Sequence, residues 1–219
     1  METCISDIRC WMAQNTLKLN DDKTEVIIFG SKHQLSNLGA VSVKIGDTEI
    51  TPSPQVKNLG VCQDSQLTME KHVTNVCRTG HMHLRNISRI RRFLTVDATK
   101  SIVNSLVTSR LDYANALLVG TPQSLTDRLQ RVQNASARII TKSARSCHIT
   151  PILKGLHWLS VKARVAYKAL LHTYRALNGL APSYIRDMLQ VYTPSRSLRS
   201  ETQQLLTIPK IRTNTFGSR

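Results

Sequence analysis

Three sets of residues have types and spacings that could do chemistry. Asp21-Asp22 is a carboxylate pair of the sort that can hold divalent metal. Asn20 precedes the pair, and side chains of these types bond their own backbone, so Asn20-Asp21-Asp22 reads as a turn. Cys77-x3-His81-x-His83 has metal-ligand types. Cys77 and His81 share a helical face, but His83 points elsewhere, and two ligands do not make a zinc centre. Cys147-His148 and His157-Trp158 read as packing residues. The third set is cationic: Lys71, Arg78, Arg85 and Arg92 recur every seven residues. On a helix that makes a stripe of about 30 Å, thickened at its far end by Arg89 and Arg91. No acid follows Glu70 on this segment, so i,i+4 ion pairing is not its purpose. Such a row can follow a phosphate backbone without reading bases. Arg128, Arg131, Arg138, Lys142 and Arg145 make a second basic set. No Ser/His/Asp arrangement and no phosphate-cradling glycine loop is visible.

The whole chain shares this bias. Thirty Lys and Arg against fourteen Asp and Glu give +16 over 219 residues. A surplus of that size repels itself unless a polyanion is the partner, so RNA, DNA or an RNA–DNA hybrid is expected, with a ribosomal or membrane-surface role as the competitor. Hydrophobic residues at 41% are too many for a disordered chain, and aromatics at 5% imply an aliphatic core. Five cysteines with no CxxC pair fit a reducing compartment. No stretch resembles a signal peptide or a membrane span, so a cytoplasmic or nuclear location is expected.

The elements that must position these residues follow from periodicity. Residues 3–16 place Ile5, Ile8 and Met12 at helical spacing, with Thr3 as N-cap. Val26–Phe29 is a continuous apolar run, expected as a strand covered on both faces. Val41–Ile45 and Thr48–Thr51 form a hairpin about Gly46-Asp47, and Val56–Cys62 is again strand-like, with Gly60 allowing close approach of a backbone. From Leu67 the period is helical. One helix spans 67–93. A second starts at Thr95 and carries Val103, Leu106, Val107, Ala114 and Leu117 up to Gly120. A third opens on the capping-box-like Ser124–Asp127 and runs to Lys142. Thr150-Pro151 starts another helix. Ser160 opens one running through Tyr167, Leu170, Tyr174 and Leu177 to Asn178-Gly179, and Ser183–Tyr192 makes the last. The expected class is α+β: a small antiparallel sheet piece over 1–66, a basic helical region over 67–145, further helices over 146–192 and a loose basic tail over 193–219.

Trp11–Phe29 and Lys57–Asp64 (KNLGVCQD) also resemble the last palm motifs of reverse transcriptases of the LINE-type (non-LTR retrotransposon) family. The resemblance continues through DRLQRVQNASARIITK, HITPILKGLHWLSV, ALNGLAPSY and YTPSRSLRS, essentially the whole chain. It implies that Lys23 matches the motif D lysine, an auxiliary catalytic group near the incoming nucleotide's phosphates. By the same match Asp21-Asp22, just before it, is a turn downstream of the hairpin whose aspartates hold two metal ions about 4 Å apart, and not a metal site. It implies that Lys57, Asn58, Leu59 and Gly60 match the primer grip, where a tight strand pair presses on the primer backbone. The thumb, which lies against the template–primer duplex, would begin where the basic stripe begins. The family's catalytic aspartate pair, in a Tyr/Phe-Ala-Asp-Asp hairpin, would lie upstream of Met1, and TNTFGSR stops inside a family block. The expectation is a reverse transcriptase fragment that keeps nucleic-acid-holding groups: Lys71, Arg78, Arg85, Arg89, Arg92, Arg128, Arg131 and Arg138. It would have no polymerase activity alone. Magnesium is implied for the full-length enzyme, and no metal or other cofactor is expected in this chain. The alternatives are a retained nonspecific nucleic-acid-binding module and a non-functional remnant.

Overall fold

The computed structural model describes residues 2–45, 48–194, 196 and 205–208. The chain forms two compact units, Met1–Asn75 and Val76–Arg219. The first carries two small antiparallel sheet pieces and short helices, and the second is helical, so the class is α+β.

In the first unit, α1 (Glu2–Gln14) includes Thr3 as a helical residue, so Thr3 is not its N-cap. Its apolar side is only partly covered: Ile5 and Met12 are half-buried, while Ile8 and Trp11 are exposed. A 3-10 turn at Asp21–Lys23 follows, with the Asn20 Oδ1 accepting from the Lys23 amide at 3.2 Å. The Val26–Phe29 run lies outside any strand, contrary to expectation. Its backbone is held at its ends instead, by Ser53 N–H donating to the Val26 carbonyl at 2.7 Å and Gly30 N–H to the Ser65 carbonyl at 3.0 Å. Nor is the run covered on both faces: Val26, Ile27 and Ile28 are half-buried and Phe29 is exposed, so a short apolar run fixes neither strand pairing nor full burial. A short α2 (Lys32–Ser36), absent from the sequence reading, starts with a capping box between Ser31 and Gln34.

Strands β1 (Val43–Ile45) and β2 (Thr48–Ile50) pair antiparallel with Ile45 opposite Thr48. The pairing agrees with the expected hairpin, and its Gly46-Asp47 turn lies outside the described residues. The expected single strand at Val56–Cys62 is a second hairpin, β3 (Gln55–Asn58) against β4 (Val61–Asp64). Leu59 and Gly60 form its turn at φ 45° and 86°, so the glycine serves the reversal of the chain. Asp64 then accepts from the amides of Thr68 (2.9 Å) and Met69 (3.0 Å), which leads into α3 (Glu70–Ile90).

In the second unit α3 ends in a 3-10 turn, Arg91–Phe93. Thr95 caps α4 (Val96–Val103) as expected, its hydroxyl accepting from Ala98 N–H at 3.2 Å. A π-helical stretch, Asn104–Thr108, joins α4 to α5 (Ser109–Asp112). The wider turn rotates the following residues off the 3.6-residue stripe. Val103 and Val107 stay buried, while Leu106 is exposed. The helix stops at Asp112, short of the expected Gly120, and Ala114 enters the left-handed region before a 3-10 turn at Asn115–Leu118. Next comes α6 (Gln123–Thr141), which starts after Pro122 with no side-chain cap. The Ser124–Asp127 capping box does not form, and Asp127 accepts from the Gln123 side chain. Likewise α7 (Ile149–Gly155) starts two residues before Pro151, after His148. Ser160 caps α8 (Val161–Leu177), which ends at Asn178-Gly179, and α9 (Ser183–Asp187) is shorter than expected.

The core of this unit is aliphatic: Leu84 and Ile87 of α3, Val103, Val107, Leu125, Leu129, Val132, Ile140, Val161 and Val165. At its tightest point a Cβ added to Gly80 of α3 would come within 2.8 Å of Val132 Cγ1 of α6. A mid-helix glycine costs about 1 kcal/mol relative to alanine, and here it lets the two helices touch.

One buried ionisable group makes the first unit sensitive to pH. His72 is buried, and its Nδ1 accepts from the Cys62 amide at 3.4 Å. Burial disfavours the imidazolium and lowers the pKa below the usual 6.5. The unfolded chain therefore binds the proton first, and stability rises with pH. The contribution is complete above about 6.5 and is lost as pH falls through the lowered folded value. The urea midpoint followed by circular dichroism should drop between pH 7 and 5, and His72→Gln should flatten that drop.

Candidate nucleic-acid interface

The contact at Gly80 brings the outer flank of α3 beside the carboxyl half of α6. Between them lies a groove of about 880 Å³, lined by Ser88, Arg91, Arg131, Asn134, Ala135, Arg138, Ile139, Lys142, Ser143 and Arg145. Five of these ten are arginine or lysine and none is acidic. The ion pair from Arg164 Nη1 to Asp112 Oδ2, at 2.7 Å, lies outside the groove.

The floor of the groove is built on Arg91. Its guanidinium donates from Nε to the Ile139 carbonyl, from Nη2 to the Ile140 carbonyl and from Nη1 to the Leu94 carbonyl, each at 2.8 Å. The last carbonyls of a helix lack intrahelical partners and carry its negative dipole end, so a cation there is both a cap and a counter-charge. Arg91 is buried, with 7% of its surface exposed. It is therefore not part of the exposed stripe expected from spacing. The signal was present all the same, since Leu84, Ile87 and Arg91 share one helical face.

The cations on the walls differ in freedom. Arg131 and Lys142 are exposed, and Arg138 is half-buried. Arg138 donates from Nη2 to the Cys147 carbonyl at 3.3 Å, while its buried Nε has no protein partner. Lys142 terminates α6 in the left-handed conformation at φ 55°. Arg128, half-buried, and Arg131 both act on Cys77: burial pushes the thiol pKa up, and the two guanidinium groups pull it back in part. A buried thiol held protonated is a packing group and not a nucleophile.

The other expected site residues lie elsewhere. Arg78, Arg85 and Arg89 are exposed along α3, while Lys71 belongs to the first unit's part of that helix. Arg92 is on the 3-10 turn, not on α3, and its guanidinium stacks 4.6 Å from the Phe93 ring centroid. In the first unit Lys23 ends the 3-10 turn with its side chain exposed. Lys57 and Asn58 are exposed on β3, and Leu59 and Gly60 form the hairpin tip.

Asp21 is paired with Arg9, and no group of three or more His, Cys, Asp or Glu side chains gathers among the described residues. Cys77 is buried, His83 half-buried and His81 exposed, so that trio does not converge. Set against known proteins, the chain matches no family model, no curated protein and no solved structure.

The role of Arg91 can be measured. Arg91→Leu removes three charge-assisted hydrogen bonds and strands the carbonyls they served, which should cost roughly 3–5 kcal/mol. Denaturant unfolding of the full chain should show the loss, and Arg91→Lys, which cannot span three carbonyls, should recover little of it.

Proposed function

We propose that the Val76–Arg219 unit holds a polynucleotide by its phosphates in the groove between α3 and α6. The observation that carries this reading is a wall of Arg131, Arg138, Lys142 and Arg145 over a buried Arg91, with no carboxylate among the lining residues. Cations gathered this way neutralise backbone charge and release counterions, which gives salt-steep binding with little base preference. Arg78, Arg85 and Arg89 extend the positive field along α3 and steer the approach of the strand.

The resemblance to LINE-type reverse transcriptases supports the same assignment. In that reading residues 1–66 are the end of a palm and residues 67–145 a thumb that grips an RNA–DNA hybrid. The exposed tip at Leu59-Gly60 and the exposed Lys23 are compatible with primer-grip and motif D roles in a complete enzyme. The function proposed for this chain is holding nucleic acid, with no chemical step assigned to it.

Binding of a short RNA–DNA hybrid across a salt series tests the assignment. Arg131→Gln/Arg138→Gln/Lys142→Gln should weaken binding and lower the slope of log K against log salt by about 2–3. Arg78→Gln/Arg85→Gln/Arg89→Gln should have a smaller effect. The reverse order would place the contact on the α3 face, and equal binding by all three proteins would remove both surfaces.

A further inference from the structure

A second surface of the helical unit remains after the groove is assigned. Val161, Val165 and Ala176 turn one side of α8 into the core. The opposite side is apolar as well: Tyr167, Leu170 and Tyr174 are 55%, 69% and 60% exposed. Leu170 lies between the two tyrosines on the same face, with Ala163 and Ala166 beside them. An apolar helix face exposed in this way, as seen among the described residues, is the kind of surface that takes a partner.

Charge decides what that partner is. α8 contains no acidic residue. Exposed Lys162 lies on one flank of the apolar stripe, and exposed Arg175 and half-buried Lys168 lie about 80–100° round the helix from Tyr167 on the other, within reach of long side chains. Arg164 turns inward to Asp112 and the Leu159 carbonyl. A second copy of this chain would bring like charge to like charge, against a surplus already at +16. The surface calls for a ligand that has flat apolar faces and negative charges at its edges. Unpaired bases on a phosphate backbone have both.

Spacing separates single strand from duplex. Tyr167 and Tyr174 are two helical turns apart, so their rings lie about 10 Å from each other. Bases inside a duplex rise about 3.4 Å per step and cover each other's faces. Only an extended, unpaired strand can offer one base face to each ring. We propose that the outward face of α8 is a stacking platform for single-stranded nucleic acid, with Tyr167 and Tyr174 as the stacking rings and Lys162, Lys168 and Arg175 as the phosphate contacts. This surface shares with the groove only the chemistry of its ligand. It stands on separate residues.

The test is fluorescence anisotropy of labelled oligo(dT) with the full chain, using Tyr167→Leu/Tyr174→Leu and Tyr167→Phe/Tyr174→Phe. Leucine keeps the apolar area and removes the aromatic face; phenylalanine keeps the face. Binding should weaken roughly tenfold for each ring lost to leucine and hold with phenylalanine. The same loss should appear in a chain already carrying Arg131→Gln/Arg138→Gln, so failure of the groove would not imitate failure of the platform. Wild-type affinity in the leucine variant would overturn the proposal. So would equal losses in both variants, or no binding of oligo(dT) by the wild type. Loss of binding to phosphatidylserine vesicles with oligo(dT) unaffected would make the face a membrane contact instead.

Discussion

The helical unit depends on one buried guanidinium. A charge taken out of water costs several kcal/mol unless its hydrogen-bonding capacity is met, and the usual partner is a carboxylate. Arg91 has none in its shell of described contacts and uses three backbone carbonyls, two at the end of α6 and one at Leu94. Carbonyl dipoles satisfy its donors without cancelling its charge. Arg91 thus joins the end of α3 to the end of α6 and leaves a net positive charge beneath the groove. An arginine–carboxylate pair in its place would hold the helices together equally well and make the groove floor neutral.

The same helix end explains why so many cations can sit together. Arg138, Lys142 and Arg145 crowd the carboxyl end of α6, where the macrodipole favours positive charge by up to about 1 kcal/mol per exposed group. That credit offsets part of their mutual repulsion without an acid in the lining. A polyanion would supply the rest. The exposed arginines of α3 differ in kind, being a solvated row whose field fades over about 8 Å at physiological salt. Under the proposal such a row would steer a polyanion, and the groove would surround it.

Several local signals in the sequence agree with the structure, while the Thr3 cap, the Ser124–Asp127 capping box and the Thr150-Pro151 start do not. The Thr95 and Ser160 caps, the Asn178-Gly179 stop and the β1–β2 pairing depend on a few adjacent residues, and all are present. Other differences fall where distant contacts decide. Val26–Phe29 lies outside any strand, α5 ends at Asp112, which Arg164 holds from 52 residues away, and the π-helical stretch moves Leu106 off the core face. For the interface, Arg131 and Arg138 were legible as one face of one helix. That this face lies beside α3 was not, because the reason is the missing side chain at Gly80 against Val132. The tyrosines of α8 carry the opposite lesson: helical spacing marked an apolar stripe and could not tell a core face from an exposed one.

The central claim is that the groove, and not the charge of the chain at large, is where nucleic acid sits. Hydrogen exchange of the full chain with and without saturating RNA–DNA hybrid tests it most directly. The account predicts slowed exchange at the Ser88–Leu94 turn and over Arg138–Arg145, with little change in the amides of β1 and β2. Protection confined to the first unit, or spread evenly over every basic segment, would contradict it.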